Sequence, residues 1–323
     1  MKSGLVIGLL AAASMLASQA RADEANEGLP DAQAFAAAVL EGRMDLESFD
    51  FEAAGYWKAD ETNRVAWLSG IQPPIFGASA TSNTCDPKER RRFIATMWLM
   101  LLQRSADAKD WRSNFSALRQ GLSAQDAMVR EAADKVVAGT DARVTELARR
   151  VARDQAIRDM PRLEQMGATM PDAARQLWGA MRLGRMMAID CENTEWLAAQ
   201  MREIGWFDIA RFGVKADKDA WVLVQHADRS PALQREALER LQKLPSGDTD
   251  PKNVAYLGDR VAMGEGKPQR YGTQGKCQPD GTWAPIEIED AEGVDERRKA
   301  LGLPPMAEYA RRFENLCPKA PVK

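Results

Sequence analysis

The sequence predicts a mainly α-helical protein, a multi-helical globular bundle with one small β-hairpin near its C-terminus. Apolar residues recur at three- and four-residue spacing through most of the chain, which is the pattern of helices with one buried face. Proline follows a helix-capping residue at several points, as it does where helices begin. Only one short segment breaks the helical pattern, and its Pro-Asp-Gly sequence is typical of a tight turn between strands.

The N-terminal part predicts short helices. One helix is indicated by the helical spacing of Ala32, Phe35, Ala36, Val39 and Leu40. Residues 43–84 contain irregularly placed glycine and proline, so we expect short helical pieces joined by loops there. Asp86 and Pro87 predict an N-cap and a first helical residue, followed by a helix through Leu102. A further helix is expected over residues 124–137.

Helix starts and stops become more regular from Asp141 onward. The apolar stripe of the first helix there consists of Val144, Leu147, Ala148 and Val151. Pro171 predicts the start of a second helix. Asp190 or Asn193 is expected to cap a third helix, which ends at Gly205.

The C-terminal part predicts five further helices and the hairpin. The first of these helices has an apolar stripe formed by Ala220, Leu223, Val224 and Ala227. Residues 230–231 and 250–251 each place a cap residue before proline at the first helical position, where the missing N–H costs nothing. The hairpin is expected within 277–288, and the last two helices within 294–301 and 306–313.

The N-terminus has the pattern of a cleavable secretory signal peptide. Lys2 precedes an apolar run from Leu5 to Leu16, and residues 20–22 place alanine at both positions that signal peptidase requires to be small. The run is shorter than the ~20 residues that a membrane-spanning helix requires. We therefore expect removal of residues 1–22 and a periplasmic or secreted protein, with an uncleaved membrane anchor as the alternative.

Four cysteines follow the leader, namely Cys85, Cys191, Cys277 and Cys317, and none forms a Cys-x-x-Cys pair. An even number in an oxidising compartment favours two disulfides. Of the three possible connectivities we favour Cys277 with Cys317, because both lie in the C-terminal segment, which leaves Cys85 with Cys191. Four buried free thiols are the alternative.

The charge balance argues against nucleic acid as a partner. The formal net charge is only -3, and binding to phosphates requires a concentrated basic face. The basic run 88–92 contains a glutamate and is typical of a solvated helix start. After the leader, no segment is apolar enough to span a membrane.

The common catalytic motifs are absent from the sequence. It contains no Gly-x-Ser-x-Gly elbow, no His-Glu-x-x-His helix and no phosphate-binding Gly-x-x-x-x-Gly-Lys loop. A zinc site would have to combine one histidine with carboxylates, which is a weak ligand set. The sequence therefore indicates neither a cofactor nor a metal.

His226 is the only histidine of the chain. Its side chain is the one whose ordinary pKa suits a general acid or base near neutral pH. On a helix Gln225 and Asp228 lie on one side and His226 projects at a different angle, so its partners must come from elsewhere in the fold. A histidine satisfied by one hydrogen bond at the edge of the core is the alternative.

Other polar residues could join this histidine in a site. Gln155 continues an apolar helix stripe, so its amide requires a buried partner or a ligand. Asp154 and Arg158 have the i,i+4 spacing of a surface ion pair. One face of a later helix presents Tyr256, Asp259 and Arg260, which is also compatible with a salt-bridged surface. The polar loop 269–274 follows that helix, and loops of this kind often contact ligands.

Residues 141–315 also carry a resemblance. The most specific strings are Leu223 to Asp228 and Arg270 to Gln274. Supporting matches are Asp154-Gln155 with Arg158, Asp190 with Asn193-Thr194, Gly205-Trp206, Trp221-Val222, Gln234, Tyr256-Leu257 with Asp259-Arg260, Gln269, Pro285-Ile286, Val294 to Arg298 and Leu301 to Leu303. These residues resemble the bacterial family called domain of unknown function 6624.

The resemblance implies a helical domain over 141–315 whose recurrent polar residues include the candidates above, but it implies no reaction. The remaining chain would comprise an N-terminal helical region, 23–140, and a tail, 316–323. Cys277 and the Lys-Cys-Gln stretch around it depart from the family, so a bridge there would be peculiar to this chain.

We therefore expect an exported helical protein with a polar pocket. Its members would be Gln155, Gln225, His226, Asp228, Asp259, Arg260, Tyr271 and Gln274. His226 would act as general acid or base, Asp228 or Asp259 would orient it or bind a cation, and Arg260 and Tyr271 would hold an anionic or amide-bearing substrate. Hydrolysis or modification of a peptide or cell-wall fragment would suit the compartment. A non-catalytic binding module and a helical scaffold without a pocket are the alternatives.

Overall fold

The computed structural model describes residues 31–44, 61–71, 85–104, 111–313 and 317. Within them it contains thirteen helices and one two-stranded antiparallel sheet. The predicted mainly α-helical class and the C-terminal hairpin are therefore confirmed. The proposed signal peptide lies outside the described residues.

The bounds of the elements follow in chain order. The helices are α1 (Ala32–Glu41), α2 (Glu61–Gly70), α3 (Pro87–Arg104), α4 (Trp111–Asp134), α5 (Ala142–Ala156), α6 (Met160–Gly167), α7 (Asp172–Ile204), α8 (Ile209–Phe212), α9 (Val214–Gln225), α10 (Pro231–Lys243), α11 (Pro251–Gly264), α12 (Val294–Ala300) and α13 (Met306–Arg311). The strands are β1 (Gly275–Cys277) and β2 (Trp283–Pro285).

The chain forms two compact units. Among the described residues, unit 1 comprises 31–44, 61–71, 86–104, 111–127 and 159–185, and unit 2 comprises 85, 128–158, 186–313 and 317. The core of unit 1 includes Trp98, whose indole N–H lies 3.1 Å from the sulfur of Met181. His226 and Asp154, the described side chain that forms a hydrogen bond with it, belong to unit 2.

Capping at the Asp-Pro sites agrees with the sequence. Asp86 accepts a hydrogen bond from the backbone N–H of Lys88, and Asp250 accepts one from that of Lys252. These side chains satisfy N–H groups that have no partner inside the helix. Ser230 differs, because it precedes α10 without making a side-chain cap bond.

Helix α7 corrects one prediction. Asp190 and Asn193 do not cap a new helix, because α7 continues through both positions for 33 residues. Their side chains are buried and are used in tertiary contacts: Asp190 receives the guanidinium of Arg158, and Asn193 receives that of Arg150. Partners on α5 and in the turn that follows it thus allow cap-type residues to lie inside α7.

Helix α9 lies at the centre of unit 2. It packs against α5, α10 and α11, and its buried residues Ala220, Leu223 and Val224 belong to the core cluster that contains Leu147 of α5 and Leu257 of α11. Burial of these apolar side chains is the main contribution that holds the helices together. Because α9 is held on several sides, the residue at its C-terminal end, His226, has a defined position.

Both disulfides have the favoured pairing. Cys85 is bonded to Cys191 and Cys277 to Cys317, and no described cysteine is free. Cys277 ends β1 opposite Trp283 of β2. None of the described helices is long and apolar enough to cross a membrane.

Candidate functional site

His226 is held by a carboxylate from a distant part of the sequence. It is the C-cap residue of α9, and its Nδ1 lies 2.9 and 3.0 Å from the two carboxylate oxygens of Asp154 on α5. The contact joins residues 72 positions apart, so it exists because α5 and α9 pack side by side. The structure therefore places Asp154 beside the ring.

Asp154 is completely buried, unlike a member of a surface ion pair. Its side chain is 0% exposed, and its oxygens also accept hydrogen bonds from Gln155 Nε2 at 2.8 Å and Arg158 Nη1 at 2.8 Å. A carboxylate removed from water requires donors of this kind to remain charged. The expectation that the Asp154–Arg158 pair lies on the surface is therefore wrong.

The hydrogen bonds assign the tautomer of His226. A carboxylate only accepts hydrogen bonds, so Nδ1 carries the ring proton and the lone pair lies on Nε2. The side chain is 21% exposed. No described residue bonds to Nε2, and that atom is not among the buried unpaired atoms, so solvent reaches it. The basic atom of the ring is therefore available to a ligand.

Arg158 links Asp154 to a second carboxylate, that of Asp190. Asp190 on α7 is 5% exposed and accepts a hydrogen bond from Arg158 Nη2 at 2.5 Å. Arg229 Nη1 lies 3.5 Å from its other oxygen. The cluster of Asp154, Asp190, Arg158 and Arg229 thus pairs two carboxyl groups with two guanidinium groups.

Burial raises the pKa of Asp190 above its usual value, and the neighbouring Arg158 guanidinium offsets part of that rise. The folded protein therefore holds a proton on this carboxyl more tightly than the unfolded chain does. The contribution of Asp190 to stability is present below the unfolded pKa, about 3.9, and it is lost as the pH rises through the raised folded pKa.

Replacement of Asp190 by asparagine should therefore change the pH dependence of stability. The amide does not titrate, so the free energy of unfolding of Asp190→Asn is expected to improve relative to the wild type as the pH rises from the unfolded pKa, about 3.9, through the raised folded pKa. Urea unfolding of both proteins across this range measures the difference. A difference that does not change with pH would show that Asp190 titrates normally in the fold.

Asp228 contacts other partners. Its side chain is 57% exposed and accepts hydrogen bonds from Arg260 Nη1 at 2.7 Å and Gln234 Nε2 at 3.1 Å. Gln234 is buried and also donates to the carbonyl of Val224. Asp228 therefore connects the end of α9 to α10 and α11, and no hydrogen bond joins it to His226 within the described part of the chain.

The carboxylate of Asp259 accepts hydrogen bonds from the backbone of the loop 269–274. It is 1% exposed and accepts the backbone N–H groups of Arg270, Tyr271 and Thr273 at 2.8–3.2 Å. Gly272 has φ +66°, and a Cβ there would lie 2.8 Å from Ile288. The Arg-Tyr-Gly-Thr-Gln string thus folds around a buried carboxylate.

Removal of this carboxylate should destabilise the protein. In Asp259→Ala, three backbone N–H groups, one of them buried and two partly buried, lose their acceptor, and we expect the free energy of unfolding to fall by about 2–4 kcal/mol. Asp280→Ala is the matched control, because Asp280 is exposed and bonds only within the hairpin turn. Unchanged stability of Asp259→Ala in urea unfolding would leave Asp259 open to a role in ligand binding.

Of the remaining residues predicted for the site, two form hydrogen bonds within the loop or with Arg298, and the third forms no side-chain hydrogen bond with a described residue. Tyr271 donates its N–H to Asp259, and its carbonyl accepts from the buried Arg298 at 2.6 Å. The Gln274 side chain donates to the neighbouring Thr273 hydroxyl. The Gln225 side chain is half-buried, and no described residue forms a hydrogen bond with it. The structure thus brings Gln155 to His226 through Asp154 and adds Arg158, Asp190 and Arg229.

The described residues contain no group of three or more His, Cys, Asp or Glu side chains arranged to hold a metal ion. The groups linked to the ring are the carboxylate of Asp154, which contacts it, and the side chains of Gln155, Arg158, Asp190 and Arg229 behind that carboxylate.

Comparison with known proteins identifies the family. No curated protein and no solved structure matches the chain. A family model described as "Family of unknown function (DUF6624)" matches residues 141–318, which is more than half of the 323 residues. The matched segment includes Asp154, Arg158, Asp190 and His226. The chain belongs to the DUF6624 family of unknown function.

Proposed function

We propose that this protein is an exported enzyme in which His226 acts as general acid and base on a peptide or cell-wall fragment, with hydrolysis as the reaction. One observation carries the proposal: Nδ1 of His226 is bonded to a fully buried carboxylate while Nε2 is open to solvent. This arrangement orients the ring, fixes the proton on Nδ1 and stabilises the imidazolium that forms when Nε2 accepts a proton.

The proposed reaction is the hydrolysis of an amide by water. Nε2 removes a proton from water as the oxygen attacks the carbonyl carbon, and Asp154 stabilises the charged ring. When the C–N bond breaks, the same proton passes from Nε2 to the leaving nitrogen, which gives a carboxylic acid and an amine. Acid–base catalysis of this kind contributes roughly 10²–10⁴-fold to a rate.

The pairing of the charged groups suits a neutral amide substrate. The charges of Asp154, Asp190, Arg158 and Arg229 are paired with one another, and Arg260 is paired with Asp228. The amides of Gln155 and Gln225 remain as neutral groups: Gln155 is exposed and Gln225 is half-buried. In this proposal Gln155 and Gln225, more than Arg260 and Tyr271, hold the substrate.

The proposed export of the protein is supported by two separate observations. The first 22 residues have the signal-peptide pattern, and two disulfides suit an oxidising compartment. Peptides and wall fragments are the amide-bearing polymers of the bacterial envelope. The substrate class therefore follows from the compartment together with the neutral site.

A substrate screen tests the proposal. The protein without residues 1–22 is incubated with a casein peptide digest and with soluble wall peptides, and mass spectrometry identifies products that have gained the mass of water. His226→Gln is the matched blank, because glutamine keeps a polar side chain and lacks a basic nitrogen. Products that form equally with His226→Gln, or no product from either substrate class, would contradict the proposal.

The second candidate is a non-catalytic binding module. This candidate is favoured because the carboxylates already have partners within the protein. Both oxygens of Asp154 and both oxygens of Asp190 have donors. In this case His226→Ala would lower the free energy of unfolding by about 1–3 kcal/mol and would remove no reaction.

A further inference from the structure

We infer that Arg158 is a positioning residue that keeps Asp154 ionised and thereby keeps the Nε2 atom of His226 free of a proton. Its importance for catalysis rests on the proposed function, but its effect on the histidine ring does not. The guanidinium does not contact the ring and acts through the carboxylate that lies between them.

The geometry of Arg158 supports this role. Nη1 donates to the Oδ1 atom of Asp154 at 2.8 Å and to the backbone carbonyl of the same residue at 3.2 Å. Nη2 donates to Asp190 at 2.5 Å. The guanidinium is therefore fixed by three acceptors, which is the planar, forked recognition that lysine cannot reproduce.

The energetics require a cation at this position. Asp154 has no exposed surface, and a carboxylate buried without a positive partner takes up a proton instead of remaining charged. Gln155 also donates a hydrogen bond to Asp154, but it is neutral. Within the described residues, Arg158 is the only cationic group that forms an ion pair with Asp154 when His226 is neutral.

Loss of Arg158 should therefore change the tautomer of His226. A protonated Asp154 would donate its O–H to Nδ1, so the single proton of the neutral ring would move to Nε2. Nε2 would then be a donor and could not accept a proton from water. The ring would remain in place, but its basic atom would face Asp154.

Asp190 has a supporting position in this arrangement. It accepts a hydrogen bond from Nη2 of Arg158 and lies beside Arg229, so it holds the guanidinium at a different nitrogen from the one that binds Asp154. Replacement of Asp190 by asparagine keeps an acceptor oxygen for Arg158 and leaves the Arg158–Asp154 pair intact. We expect the tautomer in Asp190→Asn to be that of the wild type.

The single histidine makes the test direct. In protein labelled with ¹⁵N in histidine, the two ring nitrogens of His226 give the only imidazole signals, and their chemical shifts report which nitrogen carries the proton. The spectra are recorded at a pH at which the imidazole is neutral. No substrate is needed, so the measurement is independent of any activity.

The wild type and Arg158→Lys are expected to show mainly the Nδ1–H form, because both retain a cation near Asp154. Arg158→Met is expected to shift most of the population to the Nε2–H form. Arg143→Met is the matched control, since Arg143 lies on α5, which ends two residues before Arg158, and pairs with Glu203 at the surface. If Arg158→Met does not fold, Arg158→Gln is measured in its place.

Two results separate this inference from the proposed function. A folded Arg158→Met or Arg158→Gln protein with the wild-type tautomer would overturn the inference, even if an activity had been lost. The expected change of tautomer in a protein that hydrolyses no amide would support the inference and count against the proposed function. A wild-type ring that already has the Nε2–H form would overturn both.

Discussion

Replacement of Cys85 and Cys191 by alanine is expected to lower the free energy of unfolding by about 4–5 kcal/mol. The two residues are 106 positions apart, so their bond closes a long loop in the unfolded chain and lowers its conformational entropy. The loss is a large part of the ~5–15 kcal/mol that holds a typical native protein together. Urea unfolding of the purified variant and of the wild type measures it.

The second disulfide provides a matched control. Cys277 and Cys317 are 40 positions apart, and their removal is expected to cost about 4 kcal/mol, roughly 1 kcal/mol less than removal of the longer-range bond. Wild-type protein unfolded in the presence of a reducing agent should lose at least as much stability as either variant. A larger loss for the 277–317 bond would show that contacts in the native state, and not the unfolded chain, dominate the contribution of these disulfides.

Helix starts were predictable because their signals are local. Asp86 and Asp250 precede prolines, and both accept the expected backbone N–H groups. Asp190 and Asn193 have the same local preference, but they lie inside α7 because Arg158 and Arg150 bind their side chains. A sequence pattern does not show such partners, so a continuous helix was predicted as two.

The candidate site was predictable only in part, for a related reason. Because the chain has a single histidine, its composition alone points to His226 as the candidate acid–base group. Its partner Asp154 is 72 residues away, and the i,i+4 spacing of Asp154 and Arg158 is the same whether the pair is exposed or buried. The packing of α5 against α9 determines that Asp154 is buried. The carboxylate that orients the ring is therefore a property of the fold and not of any local pattern.

The same limit applies to the loop 269–274. Its polar and aromatic residues suggested ligand contacts, but three of its backbone N–H groups bind Asp259. The sequence specifies the side chains of the loop, but its pattern does not show which backbone N–H groups will bind a carboxylate. A string that resembles other members of a family can therefore reflect the shape of a turn.

Substitution at the histidine–aspartate pair should produce the largest loss of activity. In the proposed mechanism Nε2 of His226 both accepts and returns the proton, so His226→Gln is expected to reduce kcat/KM for the amide substrate by roughly 10²–10⁴-fold. Asp154→Asn should cause a loss of similar size, because an amide can donate to Nδ1 and hold the ring in the tautomer with its proton on Nε2. Circular dichroism and urea unfolding establish that both variants are folded.

The double variant distinguishes a cooperating pair from two separate effects. If Asp154 acts only through His226, His226→Gln combined with Asp154→Asn should be no slower than His226→Gln alone, because the second change has nothing left to affect. Losses that multiply in the double variant would mean that Asp154 contributes to the reaction by another route. Normal rates in a folded Asp154→Asn protein would remove the buried carboxylate from the mechanism and leave the histidine–aspartate bond as a structural contact between α5 and the end of α9.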